Sequence, residues 1–220
     1  MSEGRVRNFM KLAMRRTLPF FVLAFICSGC GGAARPMHFY TLDPPGVPAS
    51  APQPYAIDLL IGRFTAPQLY RDTRIVYRGA GNRVGTYETQ RWAEPPAQMV
   101  SDLLLHALRS SGRYRNVQLL TSSTRGQFIL RGHLDRFEEV DGGAMATRID
   151  LYADLFDPKT GLTAWSRSYE QDEPVNGTDI SAVVASLNRN LSRAVSDINA
   201  GLDQYFATHP PAPPAEKTSK

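Results

Sequence analysis

Few residues in this chain are of a type and spacing that could do chemistry. Asp150 and Asp154 fall two alternations apart on one face of a strand-like stretch. Paired carboxylates can divide general acid and general base work between them. With Arg131 and Arg148 as neighbours, however, a solvated, ion-paired strand face accounts for both. Gly79, Gly81 and Gly85 superficially resemble a phosphate loop, but that fingerprint needs G-x-G-x-x-G between a strand and a helix. Here the last spacing is one residue too long and a strand comes after it, so a hairpin turn is expected. His38, His106, His133 and His209 show neither H-x-x-x-H nor H-E-x-x-H spacing. A zinc site needs three or four converging ligands. Neither a G-x-S-x-G elbow nor a Walker lysine is present. The expectation is a chain that is not an enzyme, with no catalytic residue, no metal ligand set and no bound cofactor.

One modification is written clearly. Residues 1–17 hold Arg5, Arg7, Lys11, Arg15 and Arg16, followed by Leu18-Pro-Phe-Phe-Val-Leu-Ala-Phe-Ile26 without a charge. Nine residues are too few to span a bilayer, which takes about 20. A basic region before a short apolar one reads as a secretory signal; a start at Met10 or Met14 would only shorten it. The run ends in Cys27-Ser28-Gly29-Cys30-Gly31. Small residues before a cysteine resemble the bacterial lipobox, and Cys30 is the expected lipid-attachment residue. Cys27 follows the bulky Ile26 and stands where leucine is usual. Several acyl chains on one cysteine hold a protein to a membrane durably, where a single chain does so marginally. Gly31 after that cysteine, in place of Asp, favours the outer membrane by resemblance to the sorting rule of diderm bacteria. With Cys27 removed and Cys30 lipidated, the mature chain keeps no thiol for a disulfide or a metal.

The charge balance follows from the same segment. The chain has 220 residues, 25 basic and 21 acidic, and a net charge of +4. Residues 1–29 hold five of the basic residues and one of the acidic ones, so 20 of each remain. The excess is export information, and it gives no support to a nucleic-acid partner.

Any site must be positioned by the elements around it. Six prolines lie between residues 36 and 54, and four more in the last eleven residues. Such stretches favour extended, weakly packed chain. The expected organisation is a lipoprotein signal over 1–29 and an anchor, tether and Pro-rich loop over 30–54 with a short first strand at 39–42. A single domain spans 55–206, its core starting at 39, and a disordered tail spans 207–220. Ala56 to Phe64 is a strand-length apolar run. Residues 74–78 and 83–87 flank the glycine turn as a hairpin. A strand from Gln127 to Phe137, a second with Ile149, Leu151, Ala153 and Leu155 on one face, and a third from Leu162 to Glu170 form a meander. The turn between the last two is Asp157-Pro-Lys-Thr-Gly161. One helix opens at Glu94-Pro95-Pro96 and closes at Gly112. A second runs from about Asp179 to Phe206, with Thr178 or Asp179 as its cap. The fold class expected is α+β: one mainly antiparallel mixed sheet with two packed helices.

Tyr70, Arg71, Arg91 and Trp92 stand in short stretches expected to be irregular, beside ordered elements. Aromatic residues and arginine are enriched at interface hot spots, which makes these four a candidate partner interface. The alternative is Trp92 as a core anchor and Arg91 in a surface ion pair.

Several segments carry a family resemblance. Phe39-Tyr-Thr-Leu42 resembles the opening of the ABC-type transport auxiliary lipoprotein family (PqiC-like). Ala66-Pro-Gln-Leu-Tyr-Arg71, Arg74-Ile-Val-Tyr77 and Trp92-Ala-Glu-Pro-Pro96 are similar to it too, as is the order of meander and terminal helix. No single motif is specific; their order, the lipobox and the lengths are. The resemblance implies a non-catalytic lipoprotein, anchored in the outer membrane and facing the periplasm. It implies MCE-domain protein or ABC permease subunits as partners in moving lipids or hydrophobic compounds. A homo-oligomer is also compatible with it. A periplasmic carrier that itself holds a hydrophobic ligand is the alternative function, and an envelope hydrolase a remote one.

Overall fold

A computed structural model describes residues 35–44, 46 and 54–210. The expected signal, Cys30, most of the Pro-rich loop and the last ten residues of the tail lie outside the described residues. Every element below belongs to one compact unit that begins at Met37. In chain order these are β1 (His38–Tyr40), β2 (Tyr55–Ile61), β3 (Arg74–Arg78), β4 (Val84–Trp92), α1 (Pro96–Ser110), β5 (Tyr114–Leu119), β6 (Phe128–Asp141), β7 (Met145–Asp157), β8 (Leu162–Pro174) and α2 (Ile180–Thr208).

β6 organises the sheet. One edge pairs antiparallel with β7 from Ile129↔Phe156 to Asp141↔Met145, and β8 continues the meander. The other edge is shared. Its first part takes β2 in parallel at Leu59↔Phe128, and its last part takes β3 in parallel at Val76↔Glu138. Thr65 bridges to His133 between them. β5 extends the sheet beyond β2, and the β3–β4 hairpin followed by β1 extends it beyond β3. The described residues therefore form one α+β domain with an eight-stranded mixed sheet and two helices. The parallel pairings are short, and the antiparallel meander carries most of the register.

The alternation along β6 is interrupted by a bulge. Leu134 opposes Leu151, whereas Arg136 already opposes Asp150, so β6 carries one extra residue there. A bulge shifts the facing of the strand residues beyond it. Leu130 and Leu134 are buried before it, and Phe137 after it.

Both helices start and stop for local reasons. Pro95 and Pro96 open α1, where a missing N–H costs nothing. Gly112 stands just past its end with φ 62°, a conformation that a Cβ disfavours. Val100, Leu103, Leu104, Ala107 and Leu108 are its buried face. α2 is capped by Asp179, whose Oδ1 accepts the Ala182 N–H at 2.9 Å. It runs to Thr208, two residues beyond the expected end. Its stripe from Val183 to Leu202 packs on β7 and β8, and Phe206 closes the core against the rings of Tyr55, Tyr114 and Phe128.

Two expectations need correction. β4 does not end near Tyr87 but runs on to Trp92, because pairing with β1 at His38↔Gln90 and Tyr40↔Trp92 sustains it. Gln90, Arg91 and Trp92 are thus strand residues, not irregular ones. The sequence pattern does not predict β5, since Arg115-Asn116 interrupts its apolar run.

Candidate functional site

Past β2 the chain keeps to the edge of β6. The Gly62 N–H donates to Leu130 O at 2.8 Å, the Thr65 N–H to Gly132 O at 3.0 Å, and the Leu134 N–H to Thr65 O at 2.8 Å. This extended path buries Phe64 and Ala66 and leaves Arg63 and Thr65 exposed. The Phe64 N–H donates to Ser101 Oγ on α1 at 2.9 Å, and Ser101 Oγ donates in turn to Ala97 O. Pro67 then starts a single 3₁₀ turn, Gln68–Tyr70, which carries the chain to β3.

A half-open cleft of about 490 Å³ lies between this path and the first turns of α1. Phe64, Ala66, Pro95, Ala97 and Leu119 give it apolar walls; Arg63, Arg71, Thr65, Gln98, Ser101 and Asp102 supply the polar groups. Ala66 and Arg71 come from one family-like segment and Pro95 from another, so the cleft is where those segments converge. Its volume falls in the range of about 300–1,000 Å³ usual for ligand pockets. Burial pushes the Asp102 carboxyl up, and nearby Glu94 adds to this, while Arg63 acts in the opposite direction. Arg71 Nε donates to Ala66 O at 2.7 Å. Neither Arg63 nor Arg71 belongs to an ion pair among the described residues, in contrast to the arginines at 78, 115, 131, 148 and 167.

The four candidate interface residues separate. Trp92 has no exposed surface and stands edge-to-face on Phe137, with ring centroids 5.5 Å apart. It is a core anchor. Tyr70 is also buried, and its hydroxyl donates to Glu138 at 2.7 Å. Glu138 is fully buried and bound by Arg78 through two hydrogen bonds, at 2.7 and 2.9 Å. Burial first, and then Glu138, raise the Tyr70 pKa far above the usual tyrosine range. Neither aromatic ring is available to a partner. Arg71 is exposed at the cleft. Arg91 is half-buried and spends its NH1 on the carbonyls of Tyr87 and Gln90, not on an ion pair.

Of the paired carboxylates, Asp154 resolves as a structural contact. It accepts three hydrogen bonds from Arg131, at 3.2, 3.0 and 2.9 Å, and one from Thr163. Arg148 turns to Asp172 at 2.6 Å. Burial, then Asp135 and Glu170, raise the Asp150 pKa. The glycines at 79, 81 and 85 belong to the β3–β4 hairpin, where the Gly79 N–H donates to Arg83 O at 2.9 Å. One constellation has no counterpart in the sequence motifs. Thr65 Oγ1 lies 2.7 Å from His133 Nδ1, and His133 Nε2 lies 3.2 Å from Asp135 Oδ1. The order hydroxyl–imidazole–carboxylate matches a nucleophile, base and orienter. All three are well exposed to water, however, so nothing supplies the desolvated electrostatics that such a nucleophile needs. Only the bridge between residues 65 and 133 brings them together, and no spacing in the sequence signals it. Among the described residues no three His, Cys, Asp or Glu side chains gather as a metal site. No described helix is long and apolar enough to cross a membrane.

The fold is that of a small α+β domain with a half-open cleft at the start of its first helix. Comparison with known proteins gives it a family: the profile of the ABC-type transport auxiliary lipoprotein component matches residues 40–199, and the chain belongs to that family. Protein XCC0632 from Xanthomonas campestris shares the fold, with a TM-score of 0.69 and 22% identity over 78% of this chain and 98% of that one. An uncharacterized protein superposes with a TM-score of 0.61 at 14% identity, covering 76% of this chain and 99% of that one. No curated protein matches.

Proposed function

We propose that this lipoprotein is an auxiliary subunit of an ABC-type transport system that moves lipids or other hydrophobic compounds through the cell envelope. It is held in the outer membrane by lipid on Cys30, with its domain in the periplasm. It acts without catalysis, docking an MCE-domain protein or the permease subunits. The observation that carries this reading is the family match over residues 40–199. Support comes also from the balanced charge beyond residue 29, which leaves recognition to shape and local groups and not to a long-range field. Of the four interface candidates, Arg71 and Arg91 are the two with surface left for a partner.

Affinity recovery of the full chain from crosslinked envelopes tests the reading. MCE-domain or permease subunits should be recovered, and less of them with Arg71→Ala or Arg91→Ala. An intact, abundant bait that recovers neither class would sink the proposal.

A further inference from the structure

We propose that the cleft between the Arg63–Arg71 path and α1 binds a single-chain anionic amphiphile: one acyl chain bearing a carboxylate or phosphate head. This goes beyond partner docking and does not depend on it.

Two independent features of the lining point to that ligand. The apolar lining is buried at Phe64, Ala66 and Ala97 and half-buried at Leu119. A groove of this kind removes hydrocarbon from water in proportion to the area covered. The polar groups of the cleft are biased in charge, with two guanidinium groups, Arg63 and Arg71, against one carboxyl, Asp102. Several arginines elsewhere in the domain are paired within the fold, as Arg78 is with Glu138, Arg131 with Asp154 and Arg167 with Asp197. Arg63 and Arg71 form no ion pair among the described residues; Arg63 acts on Asp102 only through its field and Arg71 spends only Nε, so guanidinium N–H groups remain for a ligand. Guanidinium groups suit carboxylate and phosphate oxygens, with donors spaced for two parallel hydrogen bonds. The buried Ser101 Oγ is already engaged, accepting from Phe64 and donating to Ala97. The buried part of the lining therefore presents hydrocarbon, and the exposed part carries both cations. A volume near 490 Å³ suits one acyl chain and is small for a two-chain lipid.

The full lipidated chain, reconstituted in phosphatidylcholine vesicles, is irradiated with a photoreactive stearate. Its methyl ester and a photoreactive lysophosphatidate serve as parallel probes, and labelled peptides are mapped by mass spectrometry. Binding predicts label on Phe64, Ala97 or Leu119. Both anionic probes should exceed the ester by about tenfold, the scale of one charge-assisted hydrogen bond. Arg63→Gln should cut the label several-fold, and Asp102→Asn should raise it. Arg63 is exposed and makes no side-chain hydrogen bond among the described residues, so its variant tests charge without disturbing the fold. Arg71→Gln should act likewise; if it unfolds, Arg63→Gln and Asp102→Asn decide alone. Equal labelling by the ester, label confined to other surfaces, or no response to Arg63→Gln would overturn the assignment. Displacement of the label by millimolar inorganic phosphate, independent of the acyl chain, would also overturn it in favour of a plain anion site. Arg63→Gln and Asp102→Asn do not touch the docking candidates Arg71 and Arg91, so with these two variants the recovery of transport subunits is read separately from the labelling.

Discussion

Phe64 rests directly on the backbone of Gly132. A Cβ at Gly132 would lie 2.3 Å from the Phe64 ring and 2.3 Å from Tyr152 O. The missing side chain lets the ring that walls the cleft lie close against β6. Gly132→Ala must therefore push the ring or the neighbouring strand. Overpacking of this kind costs about 1–3 kcal/mol. Denaturant unfolding should show that loss, and Phe64→Ala in the same chain should recover part of it. Strict additivity of the two substitutions would remove the contact as the cause, since touching residues couple by roughly 0.5–3 kcal/mol.

Trp92 ties the entry of α1 to the core through Phe137. Trp92→Ala empties a fully buried site and should cost about 3–5 kcal/mol. The indole Nε1 has no hydrogen-bond partner among the described residues. Trp92→Phe keeps an aromatic ring and discards that N–H, so it should cost clearly less than the alanine variant. Thermal melts by circular dichroism decide. An unchanged melting temperature in Trp92→Ala, together with lost partner recovery, would return Trp92 to the interface.

Much of this fold is legible in the sequence, and the failures have causes. The meander, both helices and the close of α1 at Gly112 follow from period and capping, which act over a few residues. The parallel pairings do not, because β2 and β3 meet β6 across more than 55 residues of chain and leave no local mark. Ser186 and Asn190 lie on the buried stripe of α2 where polar residues argue against burial. They are held there by Thr147, Tyr169 and Gln171. The family-like segments are legible as a region of interest, but not which of their side chains turn inward. Pairing of β4 with β1 buries Trp92, and Glu138, 68 residues away, draws Tyr70 inside.

Tyr70 and Arg78 together hold the fully buried Glu138. Tyr70→Phe removes one donor and leaves part of a buried carboxylate unmatched, at a cost of about 1–3 kcal/mol. Burial also raises the pKa of Tyr70, as it does for Tyr87 and Tyr114. In an ultraviolet titration these three hydroxyls should stay protonated past about pH 11 while the domain is folded, well above the usual tyrosine value, and ionise together when it unfolds. Ionisation of all nine tyrosines near the usual value of about 10 in the folded protein would contradict the buried arrangement.

The ion pair Arg167–Asp197 joins β8 to α2, and its hydrogen bond lowers the Asp197 pKa below the ordinary value. A carboxyl with a depressed folded pKa adds stability above its unfolded value near 3.9, and that gain is lost as pH falls through the folded value. Asp197→Asn should therefore destabilise at pH 7 by no more than about 1 kcal/mol, as suits a pair this exposed. The gap to the parent chain should close steadily below about pH 4. A gap that widens in acid would mean that Asp197 is not held as its charged form.

Cys30 lies outside the described residues, so its role is tested by fractionation. Cys30→Ala leaves the residues of the described domain untouched and should leave its melting temperature unchanged. It should, however, block lipid attachment and leave a larger precursor outside the outer-membrane fraction. Attachment by several acyl chains is durable where one is marginal, so the redistribution should be nearly complete and not a small shift. On the proposed assignment Cys27 would leave with the signal, so Cys27→Ala should behave as the parent chain does. If Cys27→Ala mislocalises while Cys30→Ala does not, cleavage falls before Cys27, and the small residues at 28 and 29 are not the recognition sequence.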